Sequence, residues 1–186
     1  MNETLKVINN RRSIRKYQAK QIPDSALKAI LEAAILAPSA INQQKWHFTV
    51  IQNKNMLDRM VATIKENIMK SDNEFLKERA SDHGYHTFYH APTVILISGA
   101  EKSIFIEIDC GAAAENIALA AASLNIGSCL LTSPGMLFVS AKGKEFKKAL
   151  GIPEGYNHVC SVALGYIDGD NPAPPPKNKD VVNYIK

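Results

Sequence analysis

The sequence has few cysteines and no long apolar run. Its three cysteines, Cys110, Cys129 and Cys160, form no CxxC pair and have no pair of histidines nearby. We therefore expect reduced, buried thiols rather than a disulfide framework or a zinc site. No apolar stretch reaches the roughly 18 residues that indicate a membrane span, and Met1–Asn10 is polar, without the apolar centre of a secretory signal. We expect a cytoplasmic location and no membrane partner.

Several motifs of common catalytic and cofactor sites are also missing. No GxGxxG follows a predicted strand, so a Rossmann-type dinucleotide site is not supported, and Ser39 lacks the GxSxG context of a hydrolase nucleophile. The formal net charge of +4 is too small to indicate nucleic-acid binding, although it favours small anions such as phosphates. His83, His86 and His90 have the spacing of metal ligands on a helix, but Gly84 interrupts that helix, and we expect no metal.

The composition is that of an ordinary globular protein, with 46% hydrophobic and 22% charged residues. We predict a single domain over residues 1–186 without internal repeats. Hydrophobic periodicity predicts helices over residues 23–37, 57–68, 106–125 and 142–150, and strands over residues 46–52, 93–99, 129–131 and 159–166. Residues 70–90 have no firm period and form either a mobile flap or a ragged helix. This mixture predicts an α+β sandwich.

Two features indicate close packing or association with a second chain. The helix predicted over residues 106–125 is rich in alanine, and small side chains let another backbone approach, so we expect it at the centre of the protein or of a dimer. The tail has a stiff, proline-rich stretch followed by apolar side chains that an isolated arm cannot bury. We therefore expect the arm to dock on its own body or on a partner subunit. The residues of the arm are Pro172, Pro174, Pro175, Pro176, Val181, Val182, Tyr184 and Ile185.

The segment Asn10–Tyr17 contains the first candidate site. In an extended chain, residues two apart share a face, so Arg11, Ser13 and Arg15 would point the same way over ~13 Å. Guanidinium groups bind phosphate oxygens in a bidentate fork, which suits an elongated anionic ligand. On composition alone, a solvated basic surface is the simpler interpretation.

The segment Ala37–Trp46 is the second candidate. It follows a predicted helix and precedes a predicted strand, and it places small residues beside Asn42 and two glutamines. Small residues expose backbone groups, and amides supply both donors and acceptors, which suits the polar edge of a heterocycle. Any loop between a helix and a strand favours Pro, Ser and Asn as well.

Together, the two segments resemble the FMN-dependent nitroreductase family, which has an Arg-Arg-Ser-x-Arg stretch (11–15 here) and a Pro-Ser-Ala-x-Asn-x-Gln-x-Trp stretch (38–46 here). Further segments resemble the family in the same order. Gly111–Gly127 is similar to its central helix at the dimer interface, Gly127–Cys129 to the strand entry that leads to the flavin, Ala163–Tyr166 to its late strand, and Lys177 and Lys179 to its closing basic pair.

The resemblance implies a nitroreductase-like sandwich with a central mixed or antiparallel sheet flanked by helices, a C-terminal arm that reaches the partner subunit, and a homodimer with FMN at the interface. Catalysis would be centred on the flavin, with no catalytic side chain of the protein. The implied FMN contacts are Arg11, Arg12 and Ser13 at the phosphate and ribityl end, Arg15 at the N1–C2=O edge, Pro38, Ser39, Ala40 and Asn42 from the other subunit, Thr132 and Ser133 facing N5, and Lys177 and Lys179 closing on the phosphate.

Some positions stay open. Lys45 stands where many family members have proline before the tryptophan, and Thr132-Ser133-Pro134-Gly135 replaces a Gly-rich or acidic turn, so the N5 donor is unassigned. Either Asn67 or Asn73 could be the family's flavin-contacting asparagine. Tyr89 and His90 are candidate substrate contacts.

The function implied by the resemblance is that of an oxidoreductase. It would take hydride from NAD(P)H and reduce nitroaromatic, quinone or similar electron-poor acceptors by a ping-pong mechanism. An FMN carrier or sensor without turnover is one alternative. A family relative specialised in another flavin reaction, or lacking FMN, is the other.

Overall fold

The computed structural model describes residues 1–186, and its centre is a four-stranded sheet. The strands are β1 (Trp46–Ile51), β2 (Thr93–Ala100), β3 (Gly127–Leu131) and β4 (Tyr156–Gly165), in the spatial order β1-β2-β4-β3. All neighbours pair antiparallel, so of the two predicted arrangements the sheet has the antiparallel one. The only parallel pairing is an isolated bridge between Ser13 and Ser128.

Helices cover both faces of this sheet. They are α1 (Glu3–Asn10), α2 (Asp24–Ile35), α3 (Lys54–Met69), α4 (Glu74–Ser81), α5 (Ile106–Ser123) and α6 (Lys142–Ala149). Because side chains alternate along a strand, β2 contributes to two cores. Ile95 and Ile97 pack with α2 and α5, whereas Val94 and Leu96 pack with α3 and the chain that follows β3. The result is the α+β sandwich that the sequence predicts.

The alanine-rich helix α5 packs against α2 and against all four strands. Its buried residues are mostly small, namely Asp109, Cys110, Ala113, Ala114, Ile117, Ala118 and Ala121. Small side chains allow this close approach to the sheet. Gly99 of β2 contributes too, because a Cβ there would overlap the side chain of Ile106.

The segment that follows α1 lies along the free edge of β3. The N–H of Ile14 donates to the carbonyl of Ser128 over 2.8 Å, and further along Tyr17 forms a bridge with Ile167. Ile14 and Tyr17 are buried, so the alternating side chains Ser13 and Arg15 point away from the core. Gly127 lies where this segment comes closest to β3, and a Cβ at that position would be only 2.9 Å from Cγ1 of Ile14, so glycine is required there.

One helix, α1, was not predicted from the sequence, and another, α4, was predicted only as one of two alternatives. Helix α1 begins at Asn2, whose side chain accepts from the N–H of Leu5, and it buries no side chain. Helix α4 begins at Asn73, whose side chain accepts from the N–H of Leu76. It lies in the 70–90 segment, where a flap and a ragged helix were the two alternatives; residues 82–90 form turns. Strand β3 also starts two residues earlier than predicted, at Gly127.

The C-terminal arm has no regular structure. Asn171 fixes its start by donating from Nδ2 to the carbonyl of Asn10 over 3.1 Å. Its apolar end is uncovered in the single chain, and Ile185 is fully exposed. The arm's last residues therefore do not dock on their own body, which leaves docking on a partner as the open prediction.

Candidate functional site

The two ends of the chain meet at a cavity of about 660 Å³, called here the cationic cavity. Segment 11–15 forms one wall, the start of the C-terminal arm forms another, and α5 closes it with one side chain. The lining side chains with charge are Arg11, Arg12, Arg15, Lys177 and Glu115. Four cations face one carboxylate, so the cavity keeps a net positive charge and suits an anionic ligand.

Arg12 has an unsatisfied donor at this cavity. Its Nη1 donates to the carbonyls of Asn9 and Arg11, each over 2.7 Å. Its Nε is buried and has no hydrogen-bond partner in the chain. A buried donor without an acceptor costs roughly 1–3 kcal/mol, and more when the group is charged. An anionic oxygen bound in the cavity would remove that cost.

Arg11 has a partner that was not predicted from the sequence. Its Nε lies 3.5 Å from Oε1 of Glu115 on α5, and the Glu115 side chain is 56% exposed. An exposed pair at this distance contributes between about 0 and 1 kcal/mol. The pair therefore holds Arg11 only loosely and leaves it available to a bound anion.

A second cavity of about 850 Å³, called here the aromatic groove, shares one lining residue with the cationic cavity. Arg15 lines both, so it marks the junction. The floor of the groove is the end of β3 and the residues after it, Cys129–Ser133, and the opposite wall comes from α4 and the turns that follow. The wall residues are Phe75, Leu76, Glu78, Arg79, Asp82, Gly84, Tyr85, His86, Thr87 and Tyr89.

The junction is held by two tyrosines. Tyr17 lies beneath segment 11–15 and donates its hydroxyl to the carbonyl of Ile14 over 2.7 Å. Burial is the main cause that raises the pKa of Tyr17, so the hydroxyl stays a donor at neutral pH. Tyr89 lies above, with its ring centroid 5.9 Å from the guanidinium carbon of Arg15. These contacts set the position of Arg15 between the two cavities.

The floor thiol is neutral and serves as a small apolar surface. Burial raises the pKa of Cys129, while Arg15, Arg11 and Arg79 act in the opposite direction. The first effect is the larger one. The three guanidinium groups act electrostatically on this point of the floor, while Glu78 and Asp82 also line the groove and balance the charges of Arg15 and Arg79.

The structure brings some of the predicted site residues together and leaves others apart. Arg11, Arg12, Ser13, Arg15 and Lys177 line the cationic cavity, and Thr132, Ser133 and Tyr89 line the aromatic groove. Lys179 is exposed and lines neither.

The two candidate asparagines have structural partners. Asn67 donates to the carbonyl of Met136 over 2.7 Å, and Asn73 caps α4. Neither lines the two cavities.

His90 lies in a different place from its neighbour Tyr89. It lines a separate cavity of about 280 Å³ together with His86, Lys54 and Asp58. Tyr89 and His90 both have left-handed backbone angles, with φ of 54° and 57°. In such a turn the two consecutive side chains leave in different directions, so Tyr89 faces the groove and His90 does not line it.

The loop that contains Pro38, Ser39, Ala40 and Asn42 lines neither cavity of its own chain. It has a defined shape, because Ala40 donates its N–H to the buried Asp109 of α5 over 3.0 Å. Asn42 has a left-handed φ of 53°, and so does Ile41, which is 88% exposed. A β-branched residue in this region is strained. An ordered, strained and uncovered apolar loop has the properties of a contact surface.

We expect folding stability to fall as the pH is lowered from 7 to 5. His86 and His158 are both neutral in the folded chain because burial lowers the pKa of each to about 4. Their unfolded pKa is about 6.5, so the unfolded chain binds more protons between these values. The contribution is complete above about pH 6.5 and is lost toward pH 4. We expect a loss of about 2 kcal/mol by pH 5, mostly from His158, since His86 is more exposed and more screened.

Urea unfolding at pH 7, 6 and 5 measures this loss. His158→Asn should reduce the slope of stability against pH, whereas replacing the exposed His83 by Asn should leave it unchanged. A wild-type stability that is flat between pH 5 and 7 would contradict the assignment.

None of the helices combines the length and apolar character needed to span a bilayer. No three His, Cys, Asp or Glu side chains come together in a way that would hold a metal ion.

Comparisons with known proteins agree with this architecture. A crystal structure of a Bacteroides fragilis nitroreductase with bound FMN superposes with a TM-score of 0.94 at 36% identity, and the match covers 100% of both chains. A protein of Archaeoglobus fulgidus, provisionally named NADH dehydrogenase/NAD(P)H nitroreductase, is 36% identical over 171 residues, which are 89% of this chain and 86% of that protein. The 4-nitrobenzoate reductase of a Nocardioides species is 27% identical, with 89% of this chain and 81% of that protein covered. The profile described as "Nitroreductase family" matches residues 8–166. The chain therefore belongs to the nitroreductase family.

Proposed function

We propose that this chain binds FMN across the two connected cavities and acts as an NAD(P)H-dependent oxidoreductase on nitroaromatic, quinone or similar acceptors. The observation that carries the proposal is the buried Nε of Arg12, which has no partner, in a cavity where cations from both ends of the chain converge. A phosphate supplies the acceptor that this N–H lacks. The FMN bound by the Bacteroides fragilis relative supports the same choice.

The residues of the two cavities suit different parts of FMN. Arg11, Arg12, Ser13 and Lys177 would bind the phosphate end in the cationic cavity. Arg15 at the junction would lie at the pyrimidine edge of the ring, and the chain at Thr132 and Ser133 would line the ring's other side. This arrangement requires an elongated ligand with one anionic and one flat end.

Bound FMN would supply the hydride chemistry, accepting from the nicotinamide and donating to the acceptor. The protein's part is electrostatic and spatial. Arg15 would hold a fixed positive charge where negative charge develops on reduction, and a preorganised cation of this kind is a large term in catalysis. With the flavin ring bound beside that charge, nicotinamide and acceptor would compete for the remaining space in the aromatic groove. Nicotinamide and acceptor would therefore enter in turn, which is the ping-pong order.

We also propose that the site is completed in a homodimer. In the single chain, Pro38 and Asn42 of the loop and Lys179 of the arm are exposed, and Ser39 and Ala40 are only partly buried. Large apolar side chains are exposed near the same loop and at the start of α5, including Leu36 at 81%, Ile41 at 88% and Ile104 at 87%. Exposed apolar surface of this extent marks an interaction site. In the dimer, the loop of one subunit would wall the ring bound by the other.

A visible absorption spectrum of the purified protein tests the proposal. We expect a yellow protein that NADPH bleaches under nitrogen and that a nitroaromatic or quinone then reoxidises. Yellow protein that NADPH does not bleach would instead favour a carrier or sensor, and bleaching without turnover of these acceptors would favour another flavin reaction. A colourless protein that does not bind added FMN would overturn the proposal.

A further inference from the structure

We propose that Arg79 makes the aromatic groove selective for aromatic acceptors that carry a carboxylate. This inference rests on the proposed function and adds the substrate class. Arg79 lies on α4, in the groove wall opposite the floor at Cys129–Ser133. Arg79 was not predicted from the sequence to be a site residue, and the proposed FMN binding does not use it.

Arg79 is held by aromatic groups and not by a carboxylate. Its Nη2 donates to the hydroxyl of Tyr89 over 3.0 Å, and its guanidinium carbon lies 5.8 Å from the ring centroid of Phe75. None of the chain's salt bridges includes it. Two carboxylates also line the groove, those of Glu78 and Asp82, but neither pairs with Arg79, and Asp82 accepts from the N–H of Gly84 over 2.6 Å. The remaining donors of Arg79 are therefore free for a ligand.

The groove presents two cations separated by one aromatic ring. Arg15 lies over the face of Tyr89, and Arg79 lies at its hydroxyl. A benzene ring that carries an electron-poor group at one end and a carboxylate at the other would place one of these groups near each cation. Its reacting group would lie toward the Arg15 junction, and its carboxylate would meet the planar fork of Arg79, which matches carboxylates bidentately.

The electrostatics of the groove support this arrangement. The field of Arg79 reaches the floor, where it acts together with those of Arg11 and Arg15 on the thiol of Cys129. Phe75 is 66% exposed at the wall and supplies an apolar surface for the ring of a bound molecule. A neutral aromatic compound uses only the apolar surface. An aromatic anion gains the contact with Arg79 as well.

Binding of two non-reducible probes tests the inference on the FMN-loaded protein. We expect benzoate to bind about fivefold more tightly than methyl benzoate by calorimetry, the factor that corresponds to about 1 kcal/mol from one exposed ion pair. In Arg79→Gln this difference should disappear, and in Arg79→Lys it should return in part. Lys77→Gln is the matched control on the same helix, because Lys77 pairs with Glu74 and does not line the groove. Equal binding of the two probes to the wild type would overturn the inference.

Steady-state kinetics provide a second readout. With NADPH as donor, the ratio of kcat/KM for 4-nitrobenzoate to that for its methyl ester should fall about fivefold in Arg79→Gln, mainly through KM. An equal fall of kcat/KM for both acceptors would overturn the inference. So would a variant in which the KM of NADPH rises relative to that of NADH while the ratio between the two acceptors stays unchanged. The latter would mean that Arg79 binds a phosphate of the nicotinamide donor. Failure of NADPH to bleach the protein would contradict the proposed function but not the role of Arg79, because the calorimetric comparison does not depend on turnover.

Discussion

Arg12→Ala should purify without FMN. The guanidinium of Arg12 is partly buried, and its Nε has no acceptor in the chain, so a bound phosphate is its natural partner. Removing one member of a buried, hydrogen-bonded charge pair costs about 2–5 kcal/mol. We therefore expect FMN affinity to fall at least about 100-fold, a factor that corresponds to roughly 3 kcal/mol. Quenching of FMN fluorescence on titration of the apoprotein measures the dissociation constant.

Two controls separate loss of the phosphate contact from loss of local structure. Arg12 also donates to the carbonyls of Asn9 and Arg11, so thermal unfolding of the apoprotein should be compared between the variant and the wild type. Arg59→Ala removes an equivalent side chain from α3, where the guanidinium lies 5.7 Å from the ring of Phe146 and away from both cavities. It should retain FMN. Wild-type FMN affinity in Arg12→Ala would show that the phosphate does not bind in the cationic cavity.

Truncation after Asn171 should convert a dimer into monomers that lose FMN. The removed segment carries Lys177 of the cationic cavity and the apolar end of the arm, where Val181 is 70% and Tyr184 is 81% exposed in the single chain. Burying such side chains on a partner stabilises a dimer by roughly 1.5–3 kcal/mol for each one fully covered. Sedimentation equilibrium should give the mass of one truncated chain, whereas the intact protein should give twice 20.4 kDa.

A second variant separates the two contributions of the arm. Replacing Val181, Val182, Tyr184 and Ile185 by serine keeps Lys177 and should still weaken the dimer. Lys177→Ala keeps the apolar end and should weaken FMN binding without changing the mass. A truncated chain that remains dimeric and yellow would show that the arm contributes to neither.

The parts of the fold with strong periodicity could be predicted from the sequence. The apolar stripe of α2 follows from burial of one face of the helix, and the continuous apolar run of β2 follows from burial of both faces of the strand. Helices α1 and α4 have eight residues each, which is too short for a clear period. Their one local signal is the capping asparagine, Asn2 or Asn73, followed by a glutamate in the first turn.

The residues of the candidate site likewise divide into those that the sequence predicts and those that it does not. The arginine segment was identified because its residues are adjacent in the chain, and the resemblance added Lys177 from the other end. Glu115 and Arg79 were not identified because they reach the cavities only through the packing of α5 and α4. A turn with two left-handed residues directs Tyr89 and His90 apart, and such a turn has no reliable signal when neither residue is glycine.

Helix α4 packs mainly on α3 and pairs with no strand of the sheet. The surface proposed to select the incoming molecule is thus built separately from the surface proposed to bind the phosphate. Mutagenesis of the exposed positions among residues 74–85 is consequently a direct route to new acceptors, because it changes the wall of the aromatic groove and leaves the cationic cavity and the buried core, to which Ala80 belongs, unchanged.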